Sequence, residues 1–146
     1  MHRRNHEHRG LAMSHMTLEY SGNLRAEGRF DALCRDLARF MVELRIEDKA
    51  IFPPGGVRVR AIACDAFCIA DGSAADAAFV HAILKIGAGR SEDTKDRTCN
   101  GLFNIMKQHF SQYFAQHGLA LSLELCEFSE SGTLKHNNLH SRFNKP

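Results

Sequence analysis

Two long apolar stripes at helical spacing, each flanked by short strand-like runs, constrain this chain more than any other feature. In residues 29–45, Phe30, Leu33, Cys34, Leu37, Phe40, Met41 and Leu44 recur every three or four positions, and charges occupy the other faces. In residues 91–116, Cys99, Leu102, Phe103, Met106, Phe110 and Phe114 do the same, and Gly118 supplies the stop. Runs at 15–20 and 57–64 bracket the first stripe; runs at 78–86 and 119–126 bracket the second. The order is β-α-β followed by β-α-β, an internal duplication. Parallel strands within each unit need a helical crossover. The expected fold is therefore an α/β two-layer sandwich: a four-stranded mixed sheet with two helices on one face. Residues 65–70 read as a turn and a further short strand, ended by Asp71-Gly72. Residues 57–64 and 78–86 carry apolar side chains at both parities, so the open sheet face is expected to meet another subunit.

Composition narrows the class. A length of 146 residues suits one domain, and 44% hydrophobic with 25% charged residues suits a soluble protein. No apolar run is long enough to span a membrane, and a net charge of +2 is too small to argue for nucleic acid. Five cysteines without a Cys-x-x-Cys pair, and no signal-peptide pattern, point to reduced, mostly buried thiols in the cytoplasm. Residues 1–12 stand apart, since His2, Arg3, Arg4, His6, His8 and Arg9 have almost no apolar company. They read as a disordered extension, or as a start assigned too early with Met13 the real beginning, which leaves a domain over 13–146. His6 and His8, on no fixed scaffold, would hold a metal only weakly, and no metal site is expected.

The chemistry concentrates at Leu84-Lys85-Ile86-Gly87-Ala88-Gly89-Arg90-Ser91, a strand end, a glycine turn and a helix start. Ser91 is a good N-cap, followed by Glu92 and Asp93 at the positive end of the helix dipole. Orphan backbone N–H groups beside the Arg90 guanidinium make a corner suited to a carboxylate. The third glycine of a dinucleotide fingerprint and the Lys-Ser/Thr of a P-loop are both missing. On the strand at 57–64, Arg58 and Arg60 share one face, as side chains two apart must. They read as a solvated edge or as the lining of a polyanion site.

Several segments together resemble the 5-carboxymethyl-2-hydroxymuconate delta-isomerase family of the tautomerase superfamily. They are His15 through Ser21, Phe52-Pro53 through Arg60, Asp71-Gly72, Ala78 through His81, Lys85 through Arg90, and Asn137-Asn138-Leu139-His140. The likeness runs from about residue 14 to 143 in order and spacing. It implies a homotrimer of duplicated β-α-β subunits that moves a proton along an unsaturated hydroxymuconate-type polycarboxylate in homoprotocatechuate degradation, without a cofactor. Arg58 and Arg90 match the family's substrate-binding arginines, His15 is a further substrate contact, and Arg60 is structural or solvent-facing. The family's base is an N-terminal proline, and Ser14 stands in its place. An internal Ser14 offers only an amide nitrogen, whereas a chain beginning at Ser14 would offer a primary amine with a pKa of about 7.7–8.0. Without that amine, the implied alternatives are a proton carried by His15 or His81, or a protein that binds polycarboxylates without turnover.

Overall fold

Alternation sets the sheet. In Ser14–Ser21 (β1), Met16, Leu18 and Tyr20 are buried while His15, Thr17 and Glu19 lie on the other side. Ala78–Ile86 (β5) repeats the pattern, with Ala78, Val80, Ala82, Leu84 and Ile86 buried. The buried strand residues form one cluster with Leu33, Leu37 and Met41 of Phe30–Glu43 (α1) and Leu102 and Met106 of Glu92–His109 (α2). Both helices therefore cover the same face. Val57–Cys64 (β4) and Leu119–Glu127 (β6) complete the sheet in the order β4-β1-β5-β6. β1 is parallel to β4, antiparallel to β5, and β5 is parallel to β6. The expected four-stranded mixed sheet is present. The computed structural model describes residues 12–143, so the expectations for residues 1–11, including His6 and His8, lie outside the described residues.

Three local expectations are corrected, and two small elements were not expected. The second helix is not continuous to residue 116: it breaks at Phe110, and Ser111–Gln116 forms a separate α3. Phe110 leaves helical geometry (φ −100°, ψ 14°) with its ring buried 5.8 Å from that of Phe30. The next stripe position, Phe114, is then 63% exposed. Residues 65–70 form bends rather than a strand, because they only carry the chain from edge strand β4 past β1 to β5. A small ribbon of Arg45–Ile46 (β2) and Lys49–Ala50 (β3) was not expected. Its turn residues Glu47 and Asp48 both take positive φ, 53° and 62°, the geometry a two-residue hairpin demands. Nor was a short helix expected in the tail, where His140–Phe143 (α4) packs on the 3-10 turn Pro54–Gly56. All five cysteines are free, with four half-buried and Cys68 exposed, so the thiols are less buried than expected.

The open sheet face is mixed rather than apolar. Ile62 is 49% exposed there, beside Arg60, while His81 shares a 2.6 Å hydrogen bond with Ser122 and lies 3.6 Å from Glu124. No helix of the described residues is long and apolar enough to cross a membrane.

Candidate active site

Strand direction brings the expected site residues to one end of the sheet. Ser14 opens β1 and pairs in register with Val57 at the start of β4 and with Ile86 at the end of β5. Arg58 is thus one residue in from that end, level with His15, and Arg90 follows β5 by four residues. The 3-10 turn Pro54–Gly56, which α4 touches, leads into the same end. Phe128 leaves β6 there too, its N–H donating to the Ile86 carbonyl at 2.8 Å.

Local sequence explains each placement. Gly89 takes φ 97°, which a residue with a Cβ adopts only at a cost, and so turns the chain after β5. Ser91 caps α2 as expected, its Oγ accepting from the Thr94 N–H at 3.1 Å. Arg90, between them, lies with its guanidinium carbon 4.7 Å from the ring centre of the fully buried Phe52. In Pro53-Pro54-Gly55-Gly56, the glycines permit close approach: a Cβ at Gly55 would meet the His140 backbone, and one at Gly56 the Ala12 carbonyl. This one segment seats both Ala12 and His140.

The polar accounting at this end does not balance. Among the described residues, the buried side-chain atoms without a hydrogen-bond partner are Ser14 Oγ, His15 Nε2, Arg58 Nη1, Arg90 Nε and His140 Nε2. An unpaired buried polar atom costs about 1–3 kcal/mol, so five toward one end of the sheet call for an explanation beyond folding. Three belong to side chains already named from sequence as binding groups, a fourth to Ser14. His140 was absent from those site residues, although Asn137 through His140 was among the segments that carried the resemblance. No carboxylate of the described residues pairs with Arg58 or Arg90. Burial pulls the Arg90 pKa below its ordinary value, although a guanidinium stays charged near neutrality.

Ser14 and His15 occupy opposite faces of β1. Ser14 is fully buried on the helix side, so its hydroxyl has no reach to the His15 ring. His15 sits against Phe128, ring centres 5.6 Å apart and edge-on, and its Nδ1 lies 3.0 Å from Arg60 Nη1. Burial first, then the charges of Arg60, Arg58 and Lys85, lower its pKa below the usual histidine value. His81, the other candidate proton carrier, pairs in register with Glu19 and so lies toward the far end of the sheet.

Two open depressions, of about 380 and 290 Å3, lie at that far end, lined by Tyr20, Arg25 and Arg29 in one case and Phe67, Ile69 and Gly72 in the other. Neither contains any of the unpartnered buried atoms. The polar cluster marks the site, not the larger hollow.

A model of the 5-carboxymethyl-2-hydroxymuconate isomerase family matches residues 14–143. The chain belongs to this family. An Escherichia coli 5-carboxymethyl-2-hydroxymuconate Delta-isomerase is 36% identical over 131 residues, covering 90% of this chain and 99% of the relative. A crystal structure of a 5-carboxymethyl-2-hydroxymuconate isomerase from Deinococcus radiodurans R1 is 46% identical, with a TM-score of 0.83 over 92% of this chain and 97% of that one. More distantly, a member of the cis-3-chloroacrylic acid dehalogenase family shares the fold alone, at 14% identity and a TM-score of 0.57 over 85% of this chain and 81% of its own. The isomerase family's matched span begins at the residue that opens β1.

Proposed function

We propose that the domain isomerises an unsaturated hydroxymuconate-type polycarboxylate, with Arg58, Arg90 and His15 holding carboxylates and the Ser14 amine, once freed, carrying the proton. The clustering of five buried, unpartnered polar atoms at one end of the sheet supports this reading most directly. Two unpaired guanidiniums suit two carboxylates, and bidentate contacts would fix the orientation of the conjugated chain between them. The reaction takes the proton of the dienol hydroxyl and returns one to a carbon further along the conjugated chain, with no net change in atoms or electrons. A base needs a pKa near the working pH, and a terminal amine has one. The cations stabilise the enolate that forms between the two transfers. We place this activity in a cytoplasmic homotrimer that acts in the breakdown of homoprotocatechuate, with the open sheet face turned to the other subunits.

One observation favours a second reading for the chain that includes residues before Ser14. The Ala12 carbonyl packs on Gly56, which seats residues 12 and 13 in the fold, and the Ser14 nitrogen is then a peptide amide with no basicity. That form would bind polycarboxylates without turning them over.

Ultraviolet-detected isomerisation of a dienol polycarboxylate separates the two. Protein beginning at Ser14 is expected to turn over, and the full chain to bind without turnover. Binding by neither form would remove the proposal.

A further inference from the structure

Arg60, read from sequence as structural or solvent-facing, has a specific contact. Its Nη1 lies 3.0 Å from His15 Nδ1. A guanidinium carries five N–H donors and no acceptor, so the ring nitrogen facing it must accept. Nδ1 then has no proton, and a neutral ring holds its proton on Nε2. That Nε2 is buried and has no partner among the described residues, and neither has Nη1 of Arg58. His15 and Arg58 are register partners on the same face of the sheet, so the two free donors stand side by side.

We propose that Arg60 is a positioning residue, which holds His15 as the neutral Nε2–H tautomer so that this N–H and Arg58 together grip one oxyanion of the substrate. The proposal rests on the polycarboxylate reading of the site and adds how one contact is prepared. Charges around the ring agree. Arg58 and Arg60 face it from β4 and Lys85 from β5, all cationic. From beyond β6 comes only the uncharged Phe128 ring, while Glu127 turns away to Lys95 at 3.0 Å. A second proton on Nδ1 would point at the Arg60 guanidinium, so the imidazolium is doubly opposed. A neutral donor polarises an enolate oxygen without surrendering its proton, and leaves proton transfer to a separate base.

The test is 15N nuclear magnetic resonance of the His15 ring in the full chain, assigned by its disappearance in His15→Phe, with muconate as the probe anion. The wild type is expected to show unprotonated Nδ1 and protonated Nε2, and saturating muconate to shift Nε2. Arg60→Ala should mix the tautomers and raise the pH at which the ring titrates. Arg60→Lys, whose ammonium still donates, should restore a single tautomer. Muconate affinity should fall about tenfold in His15→Phe and in Arg60→Ala, the size of one net hydrogen bond to a charged group. A proton on Nδ1 in the wild type, a tautomer and titration indifferent to Arg60→Ala, or an Nε2 unmoved by bound muconate would each overturn the proposal alone. Muconate that fails to bind the wild type would overturn the polycarboxylate reading and the donor role with it.

Discussion

β1 carries a fully buried serine at each end, and the two live differently. Ser21 Oγ accepts from the Phe79 N–H at 3.0 Å, and nearby Arg25 pairs with Asp65 while Asn23 donates to the Ala77 carbonyl at 2.9 Å. Ser14 Oγ has no partner among the described residues, and Arg58, Arg90 and His140, toward the same end of the sheet, keep unpartnered atoms of their own. The same strand in the same sheet therefore satisfies its polar groups at one end and leaves them unsatisfied at the other. Folding alone favours the first outcome, and the second is the end at which we propose that substrate binds.

Substitutions can break that contrast, and the largest effect belongs to Arg90. Arg90→Ala is expected to lower kcat/KM of protein beginning at Ser14 by at least about a hundredfold, the scale of one lost transition-state donor. Its melting temperature should hold or rise, because a desolvated, unpaired charge has been removed. Arg25→Ala, at the paired end, should leave turnover unchanged; a loss there comparable to that of Arg90→Ala would dissolve the contrast.

The serines sharpen it through stability. Ser21→Ala strands the Phe79 N–H and should cost about 1–3 kcal/mol in urea unfolding. Ser14→Ala in the full chain deletes a buried hydroxyl that bonds to nothing, and should be neutral or stabilising. Equal losses would show that Ser14 is as well satisfied as Ser21.

The glycine turn gives a smaller, local version. Gly89→Ala forces a Cβ into φ 97° and should cost about 1 kcal/mol. Gly87 has nothing within reach of a Cβ and no positive φ, so Gly87→Ala should change the unfolding midpoint little.

Smallest is the pH dependence from His15. Its folded pKa lies below the unfolded value, so below about pH 6.5 the unfolded chain binds a proton that the native one refuses. Stability from this group therefore falls as pH drops from neutrality toward the folded pKa. Urea midpoints between neutral and mildly acidic pH should show a shallower slope in His15→Phe than in the wild type.

How much of this was legible beforehand follows from the range of the forces involved. Helical stripes and strand alternation are local, so the duplicated β-α-β order, the mixed sheet and the one-sided helices could be read directly. Arg90 and Arg58 were read from the glycine turn, the strand face and the resemblance, and Ser14 and His15 from the resemblance. The break at Phe110 could not be read, because its cause is packing against Phe30, eighty positions away. The β2–β3 ribbon was hidden by a turn of Glu47-Asp48, which lacks the usual Asn-Gly signal. His140 reaches the site only through its contact with Gly55, and Arg60 gains meaning only once His15 is seen beside it. Proximity between distant segments is what a single sequence conceals.

Calorimetric titration of muconate into the wild type, Arg58→Ala, Arg90→Ala and Arg25→Ala tests the central claim most directly. The expected result is one saturable site per chain, lost in Arg58→Ala and Arg90→Ala and kept in Arg25→Ala. Binding that survives both substitutions at the unsatisfied end, or that depends on Arg25, would contradict it.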